Sequence, residues 1–128
     1  MTTVLDASAI LALLLDETGS DIVLDQLADA HLSTVNMSEA IAKLAERGIG
    51  TGQVRRQIER LELHIHDFDA DQAERAAALR PLTKPFGLSL GDRACLALAQ
   101  RLGVPVLTSD RRMADAAPAS DLQIDTIR

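Results

Sequence analysis

Short apolar runs alternate with helical periodicities along this 128-residue chain. "TTVLD" at the start reads as a buried strand, and "ASAILALLL" (residues 7–15) follows at once as a helix apolar on nearly all sides. A helix of that kind belongs against a sheet and, on its remaining face, against a second subunit. A second helix is expected over 19–29, then strand two at "HLSTV" (31–35). Asn36 stands in the capping position of the next helix, with Glu39 three residues on as in a capping box. That helix runs to about Arg47 and ends at Gly48. "GIGTG" (48–52) has the wrong spacing for a phosphate-binding GxGxxG loop and reads as a helix end plus a turn.

Val54, Ile58 and Leu61 line one face of a helix over 53–61, and "LHIHDF" (63–68) alternates like a third strand. Residues 70–80 form another helix, after which Pro81, Pro85 and Gly87 mark a loop. In "LSLGDRACLALAQRLG" (88–103), Cys95, Leu98, Ala99 and Leu102 recur at i, i+3, i+4 and i+7. Ser89 is its expected N-cap and Gly103 its C-cap. "VPVLTS" (104–109) is a fourth strand, 111–116 a short helical segment and "LQIDTI" (122–127) a last strand. Strands alternating with helices define an α/β fold with a mainly parallel sheet, in one domain over residues 1–128.

Composition narrows the picture. The single cysteine, Cys95, has no partner in the chain and falls on an apolar helix face, as in a reduced, cytoplasmic protein. The stretch 7–15 is too short to span a bilayer, and no Lys or Arg precedes it as in a signal peptide. With two Phe and no Trp or Tyr, few rings are available for stacking on bases. A formal charge of −6 does not describe a protein that grips nucleic acid over its whole surface. The balance reverses locally. Lys43, Arg47, Arg55, Arg56 and Arg60 face only Glu46 and Glu59 between residues 43 and 60. This excess is a candidate surface for meeting phosphates, and equally a solvated helical face.

The candidate chemistry is acidic. In a parallel α/β sheet every crossover helix begins at the carboxyl edge of the strands, where such folds bind ligands. Asp6 follows strand one, Glu39 lies in the first turn after strand two, Asp92 opens the helix that feeds strand four, and Asp110 follows strand four. Each has a local explanation as a cap or turn residue, and Asp69 and Asp71 share the same edge. Asp6 and Asp110 stand out because they end two apolar, central strands. Neighbouring carboxylates repel unless a cation lies among them, and oxygen donors suit Mg²⁺ or Mn²⁺. His64 and His66 share a strand face, but no third ligand is evident beside them in the sequence.

In that order, "VLDASAIL", "NMSEAIAKL", "LSLGDRACLALA" and "VLTSD" resemble the acidic motifs of PIN-domain ribonucleases, most closely the VapC-type toxins of bacterial toxin–antitoxin pairs. The resemblance spans essentially the whole chain. It implies a five-stranded parallel sheet in the order 3-2-1-4-5 and a metal-binding, catalytic quartet of Asp6, Glu39, Asp92 and Asp110. Ser8 and Thr108 would support that site with hydroxyls, and Asp115 is an extra acid whose spacing sets it apart. The implied activity is Mg²⁺- or Mn²⁺-dependent hydrolysis of RNA by a homodimer held in check by a small antitoxin protein. Two other readings fit the length and class. A phosphoacceptor receiver domain requires adjacent acids after strand one and a lysine after a late strand, whereas this chain has Asp6 alone there and only Lys43 and Lys84. A non-catalytic module of the same fold is the other.

Overall fold

The structure is a computed structural model that describes residues 2–128. Five parallel strands form one sheet in the order β3-β2-β1-β4-β5, as the resemblance implies. They are β1 (Thr3–Leu5), β2 (Ala30–Ser33), β3 (His64–His66), β4 (Val106–Thr108) and β5 (Ile124–Thr126). β1 and β4 lie side by side, with Val4 opposite Val106 and Leu5 opposite Leu107. Both strands are buried along their whole length, which suits a parallel sheet covered on two faces.

Strand alternation builds two cores. Leu5, Leu32 and Leu107 face one way, onto α1 (Ala7–Leu14), α2 (Ser20–Asp25), α3 (Thr34–Glu46) and α4 (Thr51–Glu59). Val4, Val106 and Ile124 face the other way, onto α5 (Ala70–Ala78), α7 (Leu90–Leu102) and α8 (Arg111–Asp115). The apolar helix α1 is largely accounted for inside the chain. Ala9, Ile10, Leu11 and Ala12 are buried there, while Leu13, Leu14 and Leu15 pack half-buried against the same core. Gly103 ends α7 in the left-handed conformation, where its N–H reaches the Ala99 carbonyl at 2.8 Å.

Several local expectations change. The helix expected over 19–29 breaks at Gln26 into α2 and a 3-10 turn, Leu27–Asp29. The proline segment forms helical turns rather than a loop, in α6 (Arg80–Thr83) and the 3-10 turn Lys84–Phe86. α9 (Ala117–Ser120) likewise carries Pro118 in its first turn. Proline is tolerated there because the first N–H groups of a helix have no internal partner.

The most consequential correction concerns Asn36, which is not a cap. Strand two ends at Ser33, whose hydroxyl accepts from the Val35 N–H at 3.2 Å, and α3 begins at Thr34. The β-branched pair Thr34–Val35 looks like strand but continues into helix once Ser33 caps it. Asn36 is therefore inside the helix and buried, and Glu39 lies in the second turn rather than the first.

If Ser33 is the cap, Ser33→Ala removes an acceptor from the first turn and lowers unfolding free energy by ~1 kcal/mol. Urea denaturation checks this, and an unchanged midpoint would contradict the capping assignment.

Candidate active site

Asp6 is the N-cap of α1 and 4% exposed. Its Oδ1 accepts from the Ser8 hydroxyl at 2.6 Å and from the Ala9 N–H at 2.9 Å, while Oδ2 accepts from the Thr108 hydroxyl. Each hydroxyl commits its one proton to Asp6 and accepts a backbone N–H in turn. Ser8 takes that of Ser109 and Thr108 that of Asp110, both at 2.9 Å. Ser8 and Thr108, the two supporting hydroxyls expected from sequence, thus lock the end of β1 to the end of β4.

Asp92 both caps and lines the site. Its Oδ2 accepts from the Ser89 N–H at 2.9 Å, and its own N–H reaches the Ser89 hydroxyl at 3.2 Å, which completes a capping box. Asp110 is the N-cap of α8 and is held by Arg112, through the backbone N–H at 2.9 Å and the guanidinium at 2.9 Å. The same guanidinium reaches the Gly87 carbonyl at 3.2 Å. Glu39 accepts from the Asn36 side-chain amide at 2.8 Å, and that amide also donates to the Gly91 carbonyl at 3.0 Å.

These side chains line one cleft of about 250 Å³, with Asp6, Ser8, Asn36, Glu39, Asp92 and Asp110 around it and Lys43 and Arg112 at its sides. Beneath it sits Cys95, fully buried and free. Burial pushes the Cys95 thiol well above its ordinary range, and the charges of Asp6, Asp92 and Glu39 push it further, as befits an inert core residue. A larger cavity of about 500 Å³ lies between α3, α4 and β3, walled by Met37, Ile41 and Ile65, and none of the four acids lines it.

Electrostatics separates the acids. Burial pushes the Asp6 carboxyl up to about 6, against the pull of its three hydrogen bonds and with a further push from Asp92. Burial acts on Asp110 in the same sense, but its hydrogen bonds to Arg112 and that residue's charge outweigh it and hold the carboxyl below its ordinary value. The oxygen donors fit a hard divalent ion in type. As arranged, however, no group of three or more His, Cys, Asp or Glu side chains among the described residues is disposed to hold one. Hydrogen bonds already occupy acceptor oxygens of all four acids, from Ser8, Ala9 and Thr108 on Asp6, Asn36 on Glu39, Ser89 on Asp92 and Arg112 on Asp110.

Other expected residues fall elsewhere. Asp115 is exposed at the end of α8 and does not line the cleft. Asp69 caps α5 beyond the cleft, and Asp71 pairs with Arg75 at 3.1 Å. Of the basic residues, Lys43 reaches the cleft, Arg55 pairs with Glu59 at 3.6 Å, and Arg47, Arg56 and Arg60 are exposed. The third imidazole missing beside His64 and His66 is supplied by β2. His31 stacks on His64 with ring centroids 4.8 Å apart and meets His66 nitrogen to nitrogen at 2.8 Å. A contact that short needs one proton between the two rings. Burial lowers the pKa of His31, and the charges of His66 and His64 lower it further; burial also lowers that of His66, with Arg101 and then His64 adding to it.

Sequence reasoning missed Asn36, Gly91 and Arg112. Gly91 was legible as the residue before Asp92. Its role depends on Glu39, because a methyl group at Gly91 would overlap that carboxylate.

With this geometry in view, comparison with known proteins fixes the family. The PIN domain family model matches residues 3–118, and the chain belongs to that family. No curated protein sequence matches it at a significant level. Among solved structures it is similar to a toxin–antitoxin complex from Klebsiella pneumoniae, at 21% identity over 98% of each chain and a TM-score of 0.73. A DNA-bound VapBC from Salmonella typhimurium matches at 17% identity over 100% of this chain and 99% of that one, with a TM-score of 0.74. FitAcB from Neisseria gonorrhoeae matches at 23% identity, 99% and 98% coverage and a TM-score of 0.71. No helix among the described residues is long and apolar enough to cross a membrane.

The Asp6 carboxyl yields a signed prediction. Its pKa is raised in the folded state, so its contribution to stability is full below 3.8 and is lost as pH rises through about 6. At 1.36 kcal/mol per pH unit the total is about 3 kcal/mol. In EDTA, Asp6→Asn therefore gains on the wild type by several degrees in Tm between pH 5 and 7.5. A constant difference across that range would refute the burial of an ionisable Asp6.

Proposed function

We propose that this chain is a divalent-metal-dependent ribonuclease, the toxin of a VapC-type toxin–antitoxin pair, acting in the cytoplasm. The observation that carries this is the convergence of Asp6, Glu39, Asp92 and Asp110 on one cleft at the carboxyl edge of β1 and β4 in a PIN domain chain. One structural neighbour is a toxin–antitoxin complex by name and another is a VapBC, which supports the toxin reading. No observation favours the receiver domain.

The four carboxylates would hold Mg²⁺ or Mn²⁺, which lowers the pKa of a bound water and neutralises charge developing on the phosphate. The chain's own groups prepare for this. Burial, with a further push from Asp92, makes Asp6 costly to ionise, so a cation relieves the burden. Ser8 and Thr108 keep its oxygens in place. The N-terminus of α7 directs backbone N–H groups toward an anion beside the acids. Lys43 at the rim supplies a positive charge for an RNA phosphate, and Arg47, Arg55, Arg56 and Arg60 continue the basic surface outward. Asp110 must first part from Arg112, which is then free to meet a phosphate.

A small inhibitor protein fits the same cleft. A partner Arg or Lys placed among the carboxylates would satisfy them as a cation does. Pairing of two copies belongs to the same reading, and Leu24 and Leu90, 60% and 52% accessible in the single chain, are apolar surface open to it. Light scattering at tens of micromolar checks the dimer, and co-purification with the product of the neighbouring gene checks the inhibitor.

The decisive assay is incubation of the purified protein with total RNA in Mg²⁺ or Mn²⁺, followed by mapping of cut ends. EDTA, Asp6→Asn and Asp92→Asn should each abolish cleavage, and undiminished cutting in either variant would falsify the assignment. Arg112→Ala frees Asp110 from an exposed ion pair. It should therefore tighten Mn²⁺ binding modestly, which calorimetry reads independently of activity.

A further inference from the structure

The role of Asn36 follows from what it touches. It is 1% exposed, and both hydrogens of its amide nitrogen are engaged, one by Glu39 Oε1 at 2.8 Å and one by the Gly91 carbonyl at 3.0 Å. The reverse orientation of the amide would set its oxygen against a carboxylate and a carbonyl, so these two acceptors fix the assignment. Asn36 Oδ1 is buried with no hydrogen-bond partner among the described residues. A buried acceptor without a donor opposes folding, so stability alone does not explain asparagine here. Capping does not explain it either, because Ser33 caps α3. Glu39 rests on the bare backbone of Gly91, where a side chain would collide with its carboxylate.

We propose that Asn36 is a positioning residue of the acid cleft. Its amide ties the Glu39 carboxylate to the backbone of α7 at Gly91, so that Glu39 is kept at the cleft that Asp92 also lines, as one of the donors for a divalent ion. Asn36 engages one carboxylate oxygen and leaves Oε2 for the ion. Both donors are on one nitrogen, so Glu39 and the first turn of α7 cannot move independently while both bonds hold. A glycine at 91 lets the two helices approach closely enough for one short side chain to span them. This inference rests on the reading of Glu39 as an ion ligand.

Calorimetric titration with Mn²⁺ separates the two. Glu39→Gln tests the ligand, Asn36→Ala and Asn36→Asp test the positioning, and Ser33→Ala controls for destabilisation of the same helix. A partner that orients a ligand typically accounts for a factor of 10–100 in metal affinity. Asn36→Ala should weaken Mn²⁺ binding by about that factor, and Asn36→Asp should weaken it more by setting a second carboxylate against Glu39. Ser33→Ala should leave the dissociation constant unchanged. A second measurement needs no variant. In the wild-type protein, added Mg²⁺ should shift the Asn36 side-chain N–H₂ resonances. Loss of binding in Glu39→Gln with wild-type affinity in Asn36→Ala overturns the positioning role and leaves the ribonuclease reading standing. Amide resonances unmoved by saturating Mg²⁺ overturn it too. Wild-type protein that takes up no Mn²⁺ overturns both.

Discussion

A carboxylate removed from water next to other carboxylates must be compensated, and the centre of this molecule is organised around that requirement. Asp6 is buried at the junction of β1 and β4. It is held by two hydroxyls and one N–H rather than by a positive charge. These neutral donors orient its oxygens without neutralising them. The oxygens of Asp6 are thus fixed in place while its charge is left uncompensated. Folding free energy and the charge of the cleft are thereby coupled, because whatever neutralises Asp6 also relieves a burden on the fold.

Capping and site-building are the same act for three of the four acids. Asp6, Asp92 and Asp110 each satisfy N–H groups at a helix start, where the helix dipole favours negative charge. A parallel sheet sends helix starts to one edge, so residues chosen locally as caps are delivered together to one cleft. Glu39 is the exception. It lies in the second turn of α3 and relies on Asn36 and on the missing side chain of Gly91 for its place.

That distinction explains what the sequence made legible. α7 could be read closely because its signals are local: Ser89 and Asp92 cap one end and Gly103 the other. The parallel sheet followed from alternation of elements, whereas its strand order came from resemblance to a family. Asn36 was misread because Asn-x-x-Glu fits a capping box on paper. What overrides that pattern is a contact 55 residues away in the chain, and no local rule contains it. The same holds for His31, which reaches His66 only because β2 and β3 pair. Pro81 and Pro85 suggested a loop because a residue that interrupts helices also begins them.

The bond between Thr108 and Asp6 joins residues 102 positions apart. During synthesis, Asp6 emerges long before the strand that completes its surroundings. Until β4 is made and docked, Asp6 lacks Thr108 and the cleft lacks Asp110. A chain arrested before that point has no assembled acid cleft, whatever its earlier helices have formed. Onset of any chemistry at this site is thus timed by translation itself, because elongation of about a hundred residues, ~5–20 s, separates Asp6 from the residues that complete its surroundings.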